Sequence, residues 1–117
     1  MKILAGGVGK AQVVEYLKPL LGPNDSVKAV SDMDAAMAFR TGQADYYLGT
    51  CHTGAGASLG VLVGMLGSAK CHTFGRGVPS AETVEKAIDS GAVALGFSID
   101  QIDKLVPMVW GVLDKKR

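Results

Sequence analysis

Short apolar runs alternate with helical patterns from one end of the chain to the other, and this alternation limits the fold more than any other feature. Lys2–Ala5, Val27–Val30, Asp45–Gly49, Lys70–Phe74 and Ala92–Phe97 are strand-length apolar stretches. A segment with apolar residues at helical spacing follows each of them. Val13, Val14, Leu17, Leu20 and Leu21 form the first such set, stopped by Gly22-Pro23-Asn24-Asp25. Ser31 is placed to cap the second helix, with Asp32 and Asp34 in its first turn, a stripe of Met33, Ala36 and Met37, and Gly42 as its stop. The third covers 55–67 and is apolar nearly all round. Ser80 opens the fourth, which carries Val84, Ala87 and Ile88 and closes at Gly91. Ser98 followed by Gln101 reads as a capping box for the fifth, which carries Ile102, Leu105, Val106, Val109 and Leu113, with a kink expected at Pro107.

Strict β-α alternation predicts an α/β domain: a parallel five-stranded sheet, doubly wound in three layers, with flavodoxin-like order 2-1-3-4-5. No linker or low-complexity stretch divides residues 1–117, so one domain is expected. Lys115-Lys116-Arg117 reads as a frayed tail. The 12 Lys+Arg against 11 Asp+Glu leave no basic footprint for nucleic acid. Tyr46 to Ala69 contains no charged residue. Polar residues 50–54 interrupt that run, however, and the apolar part after them is shorter than the roughly 20 residues a span needs. No membrane insertion is therefore expected. The opening residues lack signal-peptide character, which makes a cytoplasmic protein with reduced Cys51 and Cys71 the expectation.

The chain contains 16 glycines, and their placement suggests a site. Gly22, Gly42 and Gly91 are helix stops. Gly6, Gly7 and Gly9 follow the first strand, Gly49, Gly54 and Gly56 the third, Gly75 and Gly77 the fourth, and Gly96 ends the fifth. These are carboxyl ends of strands, where open α/β sheets bind ligands. Backbone without Cβ atoms can approach a ligand closely and direct N–H groups at it. The candidate ligand-binding residues are Gly7, Gly9, Lys10, Thr50, His52, Thr53, Gly54, Ala55, Gly56, Ser58, Arg76 and Ser98. Lys10 and Arg76 would neutralise an anion, Arg76 in bidentate fashion.

Cys51 is the candidate nucleophile or base, since a thiol beside a helix N-terminus has a lowered pKa; the alternative is a buried, inert strand-end cysteine. A P-loop is excluded because Ala55-Gly56 stand where Lys and Ser/Thr are needed, and a dinucleotide fingerprint lacks its third glycine at Gln12 and at Leu59. Cys51, His52, Cys71 and His72 have poor zinc spacing, so neither metal nor cofactor is expected. Gly56, Gly60 and Gly64 recur on one face of the third helix. They serve either close packing on the sheet or contact with a second subunit. Because the other faces are apolar too, a homo-oligomer through helix 55–67 is expected.

Two resemblances add to this. Cys51-His52-Thr53-Gly54-Ala55-Gly56-Ala57-Ser58 resembles the Cys-Gly-Thr/Ser-Gly-x-Gly-x-Ser loop of type B ribose-phosphate isomerases, with His52 in place of a glycine. That resemblance implies a sugar-phosphate loop and Cys51 as the base of an enediol isomerisation. Over its length the chain resembles the YhfU-like bacterial family. The resemblance is carried by Asp34-Ala35-Ala36-Met37, Gly42-Gln43-Ala44-Asp45-Tyr46-Tyr47-Leu48-Gly49, Cys51–Ala57, Ala94-Leu95-Gly96-Phe97-Ser98 and Pro107-Met108. It implies a cytosolic α/β protein and supplies no chemistry. Three functional readings result: a binder of a small anionic metabolite, a phosphorylated one being one option; a sugar-phosphate isomerase using Cys51; and a phosphocarrier or regulatory subunit of a transport or metabolic assembly.

Overall fold

The computed structural model describes residues 1–53 and 59–117. Ten elements alternate: β1 (Lys2–Gly7), α1 (Lys10–Leu17), β2 (Ser26–Ala29), α2 (Asp32–Arg40), β3 (Tyr46–Cys51), α3 (Gly60–Leu66), β4 (Cys71–Thr73), α4 (Ala81–Asp89), β5 (Ala94–Ser98) and α5 (Ile102–Lys116). All five strands are parallel. Two apolar clusters lie on the two faces of the sheet. The larger joins Ile3, Ala5 and Phe97 to residues of α1, α4 and α5. The smaller joins Leu4 and Tyr47 to Ala35, Ala36 and Leu62 of α2 and α3. The expected three-layer α/β fold is therefore present.

The strand order is β2-β1-β3-β5-β4, so the last two strands exchange places relative to the expected order. Their side chains explain why. β5 reads Ala-Leu-Gly-Phe-Ser and is buried at every position. β4 is Cys-His-Thr, with His72 and Thr73 exposed. A strand buried on both faces belongs inside a parallel sheet, and a short polar one suits the edge.

The helix ends follow sequence chemistry closely. Ser31 Oγ accepts from Asp34 N at 3.1 Å, and Ser80 Oγ accepts from Thr83 N at 3.2 Å. After α2, Gly42 N donates to Phe39 O and Gln43 N to Ala38 O; after α4, Gly91 N donates to Ile88 O and Ala92 N to Ala87 O. Both are Schellman closures, with Gly42 at φ +73° and Gly91 at φ +105°.

Several local expectations are corrected. The first helix ends at Leu17, and Pro19 lies in a 3₁₀ turn that leaves Leu20 exposed. α2 buries Ala35 and Ala36, whereas Met33 and Met37 are 58% and 49% exposed. Ser98 caps a 3₁₀ turn, Ile99–Gln101, by accepting from Asp100 N rather than from Gln101. The fifth helix forms as expected, with Pro107 inside it, and runs to Lys116. Its end is fastened, not frayed. Arg117 grips the Asp25 carboxylate with both terminal nitrogens and lies 5.3 Å above the Trp110 ring, and Lys116 pairs with Asp89. In α3, a Cβ on Gly60 or Gly64 would meet nothing within 4 Å among the described residues, so that face does not pack on the sheet. Gly56 and the expected first turn of this helix lie outside the described residues.

Candidate functional site

β1 runs beside β3 to its last residue, pairing Gly6 with Gly49 and Gly7 with Thr50. At Gly7 the chain turns with φ +84°, a conformation open to glycine. A Cβ there would lie 1.9 Å from the Thr50 carbonyl oxygen. The turn is held by Thr50, whose side chain is fully buried. Val8 N donates to Thr50 O at 3.1 Å, Gly9 N donates to Thr50 Oγ1 at 2.8 Å, and Thr50 Oγ1 donates to Gly6 O at 3.2 Å. The Thr50 hydroxyl thus positions the loop. Gly9 has a packing reason of its own: a Cβ would meet Ile102 Cδ1 at 2.7 Å and Thr50 Oγ1 at 3.0 Å. Gly6 leaves room for the Tyr47 hydroxyl, which reaches within 2.0 Å of where its Cβ would be.

This turn opens onto a crevice of about 280 Å³ lined by Gly7, Lys10, Val30, Ser31, Asp32 and Tyr47. Its position follows from the topology. From β1 the chain moves outward to β2, and from β3 it moves toward the opposite edge. The connections therefore diverge between β1 and β3, the switch point where ligands bind in open α/β sheets, and the crevice lies next to it on the β2 side of β1. The first residues of two helices, Lys10 of α1 and Asp32 of α2, both line the crevice. The N-cap of α1 is Gly9, which has no side chain to cap the first turn. Burial pushes the Tyr47 hydroxyl up to about 12, helped by the Asp32 charge, so the phenol is neutral at physiological pH.

At the end of β3, Cys51 pairs in register with Ser98 and is 8% exposed. Ser98, fully buried, donates from Oγ to His52 O at 3.2 Å and accepts from Asp100 N at 3.3 Å. It ties the β3 exit to β5. His52 and Thr53 are exposed. Gly54, Ala55, Gly56 and Ser58 lie outside the described residues, as does the helix turn expected beside Cys51.

Arg76 is exposed in the turn after β4. Because β5 separates β4 from β3, Arg76 is rooted two strand spacings from β3, roughly 10 Å rather than the expected 5 Å. The structure thus brings Gly7 and Lys10 together in one cavity, uses Thr50, Gly9 and Ser98 to hold backbone, and leaves Arg76 at the far edge. Cys71 is half-buried, with its thiol pKa raised by burial, while exposed His72 places its ring 4.8 Å from Phe74. Among the described residues, no three His, Cys, Asp or Glu groups converge as metal ligands, and no helix is long and apolar enough to cross a membrane.

Four crevice residues, Val30, Ser31, Asp32 and Tyr47, were not among those expected from the sequence. Ser31 and Asp32 read as a cap and a dipole partner, and Tyr47 read as an ordinary strand residue. The available signal was order 2-1-3 itself, which sets the end of β2 beside the end of β1. A second cavity, about 320 Å³, lies at the amino ends of the strands and is lined by Met1, Asp45, Tyr46, Leu113, Lys116 and Arg117. Arg117 and Lys116 are already paired there with Asp25 and Asp89, and parallel sheets seldom bind at that end, so the carboxyl-end crevice is the stronger candidate.

No solved structure matches the chain. Curated relatives do: the uncharacterized protein YhfU of Escherichia coli (strain K12) is 34% identical over 110 residues, covering 92% of this chain and 94% of the relative. The protein of the same description from Shigella flexneri gives the same values. Residues 1–113 match the family described as protein of unknown function DUF2620. With nearly all of its sheet and helices inside that match, the chain belongs to the DUF2620 family.

Proposed function

We propose that this protein binds a small anionic metabolite at the carboxyl edge of its sheet, seated in the crevice beside the β1 turn. The observation that carries the reading is the position of Lys10. It is the first residue of a helix whose N-cap, Gly9, has no side chain, it lines a cavity beside the switch point, and its ammonium has no hydrogen-bond or ion-pair partner among the described residues. Helix N-termini favour anions, and the lysine adds a full charge. Thr53 follows β3, the strand beside β1, and we assign it to the same binding edge. Arg76 is assigned a peripheral part at most.

A thermal-shift panel of inorganic phosphate, sugar phosphates and carboxylates tests this. A ligand at ten times its Kd stabilises the fold by about 1.4 kcal/mol, which raises the Tm of a domain this size by roughly 5 °C. Lys10→Ala should abolish the shift, and Arg76→Ala should leave most of it. Binding that survives Lys10→Ala refutes the reading.

We also assign the outer face of α3 to a second copy of the chain. Gly60, Val63 and Gly64 are exposed, and the helix carries no polar side chain. Light scattering on the wild type and on Val63→Lys checks this: a dimer converted to monomer is expected, and a wild-type monomer at 100-micromolar order would refute it.

A further inference from the structure

The crevice pairs two unlike groups. Lys10 and the first turn of α1 attract negative charge, while Asp32 contributes a carboxylate to the same wall. One Asp32 oxygen accepts from Met33 N at 3.0 Å; the other makes no hydrogen bond or ion pair among the described residues, and Asp32 does not pair with Lys10. A ligand that is anionic throughout would be repelled by Asp32. A ligand with an anionic end and a hydroxyl-rich end satisfies both groups.

The layout specifies this further. A glycine turn after β1 lies opposite an acidic residue just beyond β2, with both lining one cavity beside the switch point. In parallel sheets of this kind, an acidic side chain at that place accepts hydrogen bonds from the vicinal hydroxyls of a sugar, and phosphate lies at the helix N-terminus. The chain departs from the dinucleotide pattern in two ways. Gln12 stands at the third glycine position, and 280 Å³ is near the lower end for ligand pockets. One sugar-phosphate unit suits the space.

We propose that the crevice recognises a phosphorylated sugar carrying a free vicinal diol, the diol on Asp32 and the phosphate against Lys10 and the first turn of α1. This rests on the anion-site reading above and adds its specificity. The same chemistry is offered by a free pentose phosphate and by a ribonucleoside monophosphate.

The test is calorimetric titration of ribose 5-phosphate, 2-deoxyribose 5-phosphate, AMP, 2′-deoxy-AMP and O-phosphoserine into wild type, Asp32→Ala and Lys10→Ala. Hydrogen bonds to a charged acceptor carry enough energy for at least about tenfold discrimination. The 2-hydroxyl form should therefore bind at least about tenfold tighter than its deoxy counterpart. Asp32→Ala should bring the pair to within about threefold while still binding phosphate, and Lys10→Ala should weaken every ligand. Preference for ribose 5-phosphate over AMP, or the reverse, identifies the source of the sugar. Equal affinity for hydroxyl and deoxy forms, or discrimination that survives Asp32→Ala, overturns the diol assignment and leaves the anion site standing. Tightest binding of O-phosphoserine would mean that Asp32 holds an ammonium group, which also overturns it. No binding by any phosphate ligand defeats the sugar-phosphate assignment, and no thermal shift with the carboxylates either defeats the anion site as well. Thermal unfolding of each variant separates lost binding from lost fold.

Discussion

Replacing Thr50 by valine removes one hydroxyl and nearly nothing else, and that hydroxyl holds the β1 turn. It accepts from Gly9 N at 2.8 Å and donates to Gly6 O at 3.2 Å, both within buried surroundings. Valine fills the same volume, so no cavity opens. The Gly9 amide is left without its acceptor, a loss of roughly 1–3 kcal/mol for a buried donor. The Gly6 carbonyl loses one partner as well. We expect Thr50→Val to cost about 2 kcal/mol. With a urea m-value of about 2 kcal/mol/M, the unfolding midpoint should fall by about 1 M at unchanged slope. Thr50→Ser is the control: it keeps the hydroxyl and loses a methyl, so it should cost less, about 1 kcal/mol. Hydrogen exchange reads the same bond directly, since the Gly9 amide should exchange faster in Thr50→Val than in Thr50→Ser. If Thr50→Val equals the wild type in stability, or exceeds Thr50→Ser, the hydroxyl does not hold the turn and the account of this loop fails.

Gly7→Ala forces φ +84° on alanine and drives its Cβ into the Thr50 carbonyl, so thermal unfolding should show a loss of at least about 3 kcal/mol. The Arg117 guanidinium and the N-terminal amine hold the Asp25 carboxyl below its ordinary range. The unfolded chain therefore takes up that proton first as pH falls, and stability should be full above about pH 4 and decline below it; Arg117→Ala should flatten this acid slope in pH-dependent urea titrations. Burial raises the Cys71 thiol, so peptide mapping after iodoacetamide at pH 8 should find Cys71 modified more slowly in the folded protein than in urea.

The elements were legible because their signals are local. Ser31 and Ser80 cap where their spacing to the next apolar residues places them, and Gly42 and Gly91 end their helices in the αL conformation those positions require. Strand order was half legible. The polar Cys-His-Thr of β4 and the apolar Ala-Leu-Gly-Phe of β5 already carried the information that exchanges them, but helix-strand periodicity does not weigh one strand against another. That exchange is what moves Arg76 away from β3 and brings Ser98 beside Cys51. The α2 stripe failed for a related reason. Hydropathy favours methionine over alanine, yet the side of α2 that faces Tyr47 and α3 is built from Ala35 and Ala36. The glycines do cluster at the carboxyl edge of the sheet, but their reasons differ: Gly7 turns the chain, Gly9 admits Ile102, and Gly6 admits Tyr47. Asp32 and Tyr47 join the site only through packing between elements distant in sequence.

A crystal of the protein soaked with ribose 5-phosphate tests the central claim most directly. The expected result is a phosphate against Lys10 and the first turn of α1, with sugar hydroxyls on the Asp32 carboxylate. A ligand seated over Arg76 at the β4 edge, or in the amino-end cavity beside Tyr46, would contradict it.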